Sequence, residues 1–197
     1  AAMGLLFALL FAVLSAGVLA FFTLYYKTNI ILGGIAINSL ASGGTIFFLY
    51  LAAHDKGTSV SLPSKVLPSV NIPLIQDIPV IGPAISGHNV LTYLAIVAVI
   101  FTFFLLKRTS LGWHLRAVGE KKEAADSVGI SVAKTQAIAL ILSGLMCGFG
   151  GAFMSMGYVS WFSRDMVSGR GWIALAAEAM GLQHPLGTAA TSLLFGV

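Results

Sequence analysis

The sequence predicts an all-α membrane protein, a polytopic helix bundle with a re-entrant or half-helix near its C-terminal part. Three observations carry that expectation. Only 9% of the 197 residues are charged and 57% are hydrophobic, against roughly a quarter charged in an ordinary soluble domain. The charges are clustered, which leaves uncharged runs long enough to cross a hydrocarbon core at about 20 mostly apolar residues per helix. One further apolar run is too short to cross. These features exclude a soluble enzyme, a nucleic-acid binder and a disordered tail. The net charge of +4 is read as a topology signal, because basic residues on the inner side orient a membrane protein.

Each element follows from where the charges and prolines fall. Ala1 to Tyr26 carries no charge and is the first span. Lys27 interrupts, and Thr28 to Ala53 is the second span. Residues 54–88 hold five of the six prolines, Pro63, Pro68, Pro73, Pro79 and Pro83, which forbid a continuous helix. This stretch is expected to be an external Pro-rich loop. Asn89 to Leu106 is a third span of minimal length. The segment 107–134 carries six of the eleven basic residues together with Glu120, Glu123 and Asp126. Thr135 to Phe162 is the fourth span, and Gly171 to Leu182 is too short to cross and suits a half-helix. Alternation puts Lys27 and 107–134 on one side, with seven Lys or Arg against four opposite, so that side is expected to be cytoplasmic. The chain starts and stops inside apolar runs, at Ala1 and Val197. Residues 1–197 are therefore expected to be a single transmembrane domain, a fragment lacking both ends.

Several residues stand out for function. Asn38, Ser42 and Thr45 recur at i, i+4 and i+7 and share one face of the second span. Polar groups at membrane depth need partners, so the stripe either packs against another helix or lines a path for a polar solute. Ser143, Cys147 and Gly151 recur every four residues beside Gly144 and Gly148, a spacing that lets helix backbones approach closely. Cys147 is the sole cysteine and belongs with that small-residue ridge. Glu178 is the one acid inside an apolar run; an ionisable group at that depth is either a functional group by default or a protonated or snorkelling side chain near the end of a half-helix. Trp172 stands at the outer boundary, where an indole serves as an interfacial anchor or meets the solute. Glu120 to Ile130 reads as a short helix with Ala124, Ala125 and Val128 on one side and Gly129 as its stop, a small apolar face framed by charge that is either a solvated segment lying at the headgroups or an insertion into a groove on a partner.

Catalytic chemistry has no footing. His54, His88, His114 and His184 lack metal-ligand spacing. There is neither a serine nucleophile elbow nor a Gly-x-x-x-x-Gly-Lys-Ser/Thr phosphate loop. No cofactor is expected, and any energy from ATP must come from another subunit.

Several stretches in order resemble one family: Thr28 to Asn38, the loop Ile78-Pro79-Val80-Ile81-Gly82-Pro83, Leu115 to Glu120 leading through Ala124 to Ile130, Ser143-Gly144 through Gly150-Gly151-Ala152, and Gly169-Arg170-Gly171-Trp172 to Ala177. They resemble permease subunits of bacterial ABC importers for nucleosides and simple sugars, within the branched-chain amino acid and ribose permease superfamily. The resemblance implies a type II ABC importer permease-like bundle in the bacterial plasma membrane. The implied partners are a second permease, two cytoplasmic ATP-binding subunits and an external solute-binding protein. It further implies that Glu120, Glu123, Ala124, Ala125, Asp126, Val128 and Gly129 form the coupling helix. Asn38, Ser42, Thr45, Trp172 and Glu178 would border the solute path. A rival reading is an ion-coupled secondary transporter or channel using Glu178; another is a structural membrane assembly subunit.

Overall fold

The computed structural model describes residues 1–55, 57–60, 66–69 and 87–196. Most of the Pro-rich stretch, including Pro63, Pro73 and the Ile78–Pro83 motif, lies outside the described residues. Helices α1 (Ala2–Leu24) and α2 (Ile30–Ala53) are followed by α3 (Val90–Arg108), α4 (Ser110–Glu120) and α5 (Lys122–Ser127). Then come α6 (Val132–Phe153), which continues as a π-helical turn over Met154–Tyr158, α7 (Arg170–Met180) and α8 (Pro185–Gly196). Four of these, α1, α2, α3 and α6 with its π extension, are long and apolar enough to cross a membrane.

Their ends are set by local chemistry. Asn29 caps α2 by accepting from the Ile31 amide at 2.9 Å, and Asn89 caps α3 by accepting from Leu91 at 3.0 Å. Lys107 and Arg108 close α3 where cations suit the helix dipole. Thr109 then joins α3 to α4: its hydroxyl donates to the Leu105 carbonyl at 2.6 Å and accepts from the Gly112 amide at 3.1 Å. A Cβ on Gly112 would run into the Leu105 carbonyl oxygen, so the bend requires glycine. Beyond the bend, Leu111, Leu115 and Val118 turn inward while Trp113, His114 and Arg116 face out. This helix is absent from the sequence reading, which treats 107–119 as water-facing chain.

Helix contacts define a lateral row, α2–α1–α6–α3–α8–α7. The largest seam joins α1 to α6. At its centre Gly144 lies against Ala16, and a Cβ on Gly148 would stand 2.9 Å from the Ala12 Cβ and 3.1 Å from Leu9 Cδ2. Ala16, Ala20 and Ala152 are buried along the same line. The packing expectation is corrected in register. Gly144, Gly148 and Ala152 form the packed ridge, whereas Ser143, Cys147 and Gly151, one position back, are exposed, and a Cβ on Gly151 would meet nothing within 4 Å. Residues one apart on a helix point about 100° apart, so only one of the two ridges can enter the seam.

The connections sort to two ends. At one, the chain after α2 meets the chain after α6: Ser59 N–H donates to the Phe162 carbonyl at 2.9 Å, Phe162 N–H to Ser59 Oγ at 2.8 Å, and Arg164 N–H to Gly57 at 2.9 Å. Leu67 N–H likewise reaches the Met156 carbonyl at 3.2 Å. At the other end, the α1–α2 turn around Lys27 shares a cleft of about 1250 Å³ with Lys122, Glu123, Asp126 and Gln136. The α3–α4 bend and α5 belong to this basic end. Large apolar side chains on the outer faces of α1 to α3, among them Phe7, Phe11, Phe48 and Phe104, are exposed, as lipid or neighbouring helices require.

Candidate functional site

Two surfaces carry the singled-out residues, and a third segment forms a helical hairpin. On α2, Asn38, Ser42 and Thr45 are all exposed. The Thr45 hydroxyl donates to its own helix, to the Ala41 carbonyl at 2.7 Å and that of Ser42 at 3.2 Å, so it needs no external partner. The Asn38 side-chain amide and the Ser42 hydroxyl bond to nothing among the described residues, and they are the groups on this stripe with capacity to spare.

At the basic end, α5 sits between α4 and α6. Lys121 has extended geometry and breaks the run expected from Glu120, so Glu120 closes α4 and α5 starts at Lys122. The Gly129 amide bonds to Asp126 at 2.9 Å and that of Ile130 to Ala125 at 3.0 Å. Gly129 itself takes φ +84°, the left-handed stop that glycine supplies at least cost. Ala125 does not share a face with its neighbours: it is 2% exposed, whereas Val128 is 74% exposed and Ala124 is exposed too. The outward apolar face is therefore Ala124 and Val128, flanked by Glu123 and Asp126, and Ala125 anchors the helix to the bundle.

The half-helix expected over Gly171–Leu182 is α7, and α8 runs back along it as the second arm of a hairpin. Gly169, at φ +76°, precedes α7, and Arg170 Nη1 donates to the Met166 carbonyl at 2.8 Å. The arms meet where Gly181 and Gly187 come into backbone contact, so close that a Cβ on either would collide with the other arm. Thr191 Oγ1 reaches across to the Ala177 carbonyl at 2.7 Å, and Ala177 is buried. The turn between the arms puts Leu182 and Gln183 successively in the left-handed region, at φ 53° and 55°. His184 then stands edge-on to Phe103 of α3, 6.0 Å between ring centroids, and Lys107 Nζ lies 4.9 Å from the centre of that Phe103 ring. Trp172, at 70% exposure, and Glu178 both point away from the packed arm.

The chain does not gather all the proposed path residues into one place. Asn38, Ser42 and Thr45 belong to α2 and Trp172 and Glu178 to α7, the two ends of the helix row. No group of three or more His, Cys, Asp or Glu able to hold a metal occurs among the described residues. Sequence reasoning missed Thr191 and the α4 helix. The Leu111, Leu115 and Val118 spacing signals the helix, whereas nothing local marks a threonine whose partner lies fourteen residues back.

Four helices able to span, with a short helical hairpin at one edge of the row and a charged helix at one end, define a multi-pass membrane protein. The family described as "Branched-chain amino acid transport system / permease component" matches residues 1–197, and the chain belongs to it. It is 35% identical over 172 residues to the guanosine ABC transporter permease protein NupQ of Bacillus subtilis, covering 87% of this chain and 53% of that one. It is 32% identical over 196 residues to the nucleoside ABC transporter permease protein NupC of Lactococcus lactis, covering 99% of this chain and 61% of that one. The putative glucose ABC transporter permease protein TsgC13 of Haloferax volcanii is 32% identical over 182 residues, covering 92% of this chain and 54% of that one. The chain thus spans a little over half the length of the curated relatives it matches. No solved structure matches it.

Proposed function

We propose that the chain is part of the permease subunit of an ATP-driven importer for nucleosides or related simple sugars. It contributes to the solute path and passes motion from cytoplasmic ATPases to the spans. The observation that carries this reading is the α5 segment: an exposed Ala124 and Val128 face framed by Glu123 and Asp126, fixed through buried Ala125. A helix that is small, outward-facing and anchored suits a groove on a partner and transmits a push to α4 and α6. Membership of a permease family and the named solutes of NupQ and NupC support the same choice. The basic end is then cytoplasmic by the positive-inside rule, in the bacterial plasma membrane. The opposite end, where the loops around Ser59 and Phe162 meet, receives solute from an external binding protein.

Asn38, Ser42 and Thr45 are proposed to border the path from α2, and Trp172 and Glu178 from α7. Because these stand at opposite ends of the row, a path bordered by both needs the row to curl or a second permease to complete it. The protein itself performs no bond chemistry; two ATP-binding subunits hydrolyse the nucleotide.

The test is to purify the tagged full-length protein from its own membrane. Co-purification of an ATPase and a second permease, with ATP hydrolysis stimulated by guanosine and the binding protein, is the expected result. Uptake that needs an ion gradient and no ATPase would overturn the reading in favour of an ion-coupled transporter.

A further inference from the structure

We propose that the cleft at the basic end is a binding site for one phospholipid with a primary ammonium in its headgroup, a phosphoethanolamine lipid. The position of the cleft is the first argument. One wall is the end of α1 with the start of α2, and the other is α5 with the start of α6 as far as Leu140. α1 ends here and α2 and α6 begin here, so the cleft straddles the level at which headgroups give way to hydrocarbon. From Val132 to Leu140 is eight residues, about 12 Å along α6. The volume, about 1250 Å³, equals that of about forty waters, far more than an ion fills. The lining is amphipathic in the same sense: its four charges lie on the α1–α2 turn and on α5, outside the spans, whereas Leu24, Ile31, Ala139 and Leu140 belong to the spans themselves.

Charge is the second argument. Lys27, Lys122, Glu123 and Asp126 all border the cleft, and none of these four side chains makes an ion pair or hydrogen bond among the described residues. The set is neutral in sum and unpaired in detail. A purely anionic head would be repelled by the two carboxylates, and a free cation by the two lysines. A zwitterionic head answers both, its phosphate accepting from the lysine Nζ groups and its ammonium donating to the carboxylates, in charge-assisted bonds. A quaternary choline has no N–H to donate, so this set of groups distinguishes an ethanolamine head from a choline head.

The walls supply two further observations. Thr23 Oγ1, one turn inward of Lys27, is the sole buried side-chain polar atom without a hydrogen-bond partner among the described residues, and Thr23 belongs to this cleft. Such a group marks a place that the protein alone leaves incomplete. On α5, Lys122, Glu123 and Asp126 fall within about 100° of one another, and Ala124 and Val128 fall on the opposite side. A lipid in the cleft therefore leaves the Ala124 and Val128 face uncovered.

The test uses the tagged full-length protein, purified with its partners, and a phosphatidylethanolamine carrying a diazirine in its upper acyl chain. Illumination is followed by peptide mapping, with unlabelled phosphatidylethanolamine, phosphatidylcholine or phosphatidylglycerol as competitor. Label in residues 23–31 and 132–140, displaced several-fold more effectively by the ethanolamine lipid than by the other two, is the expected result. Lys27→Asn, whose side chain tolerates the left-handed geometry of Lys27 at φ 53°, and Asp126→Asn are each expected to lower that label several-fold while label on α3 stays unchanged. Equal displacement by the choline lipid means ordinary boundary lipid and overturns the proposal. Strongest displacement by the glycerol lipid means that the lysines act alone, and overturns it as well. Absence of label from both segments, the result if another stretch of protein fills the cleft, or undiminished label in both assembled variants has the same consequence. Should either variant fail to assemble, the competition in the parent protein decides alone.

Discussion

The Thr191 hydroxyl donates to the Ala177 carbonyl at 2.7 Å, tying the second arm of the hairpin to the first across a glycine contact too close for any other residue. The same carbonyl also accepts from the Gly181 amide at 2.9 Å. Thr191→Val keeps the side-chain shape and leaves that carbonyl partnered. The expected loss is therefore small, about 0.5–1.5 kcal/mol. It should appear as faster proteolysis at the 181–184 turn in detergent, with the four spans still protected. Unchanged cleavage would show that the glycine contact alone holds the hairpin.

The α1–α6 seam gives a sharper contrast. Gly144→Leu drives a side chain into Ala16 and the Ala12 carbonyl, and overpacking of this kind costs about 1–3 kcal/mol or more. Gly151→Ala, in open space on the exposed ridge, is expected to be neutral or to gain up to about 1 kcal/mol of helix propensity. Thermal denaturation of the solubilised protein compares them. Equal effects would contradict the register seen here.

Docking and folding separate at α5. Val128→Asp puts a charge on the exposed face and is expected to abolish most solute-stimulated ATPase activity while membrane insertion and yield stay normal. Ala125→Arg, by contrast, forces a long cation into a position 2% exposed and is expected to lower yield as well. If Val128→Asp retains full coupling, the Ala124 and Val128 face is not the contact.

Asn38→Leu is expected to slow guanosine uptake several-fold without loss of assembly, because it removes the one amide on α2 free to meet a solute. Thr45→Val should do far less, since that hydroxyl is already spent on the Ala41 carbonyl. Equal behaviour of the two would return Asn38 to a packing role.

Most of the architecture was legible in the sequence because a bilayer imposes coarse rules. Uncharged length marks spans, and the twelve-residue run after Arg170 is too short to be one. The stops at Lys27, Lys107 and Gly129 were equally plain. What was not legible depended on rotation about a helix axis. Gly144 and Ser143 differ by one position, and composition cannot tell which of two small ridges enters the seam. The same holds for Ala124 and Ala125, where only the packing of α5 on α4 and α6 turns one out and the other in. The polar stripe of α2 and the carboxyl of α7 looked alike as path residues, yet the order of helices in the row sets them at opposite edges.

That order also makes the two flanks of α6 unlike each other. Towards α1 it meets a close line of glycine and alanine, Gly144 and Gly148 against Ala16 and Ala12, which leaves no side-chain length to spare at the joint. Beyond α3 the row continues to the hairpin through a ring contact, Phe103 against His184. One flank is closed by the absence of side chains, and the other is reached through large ones.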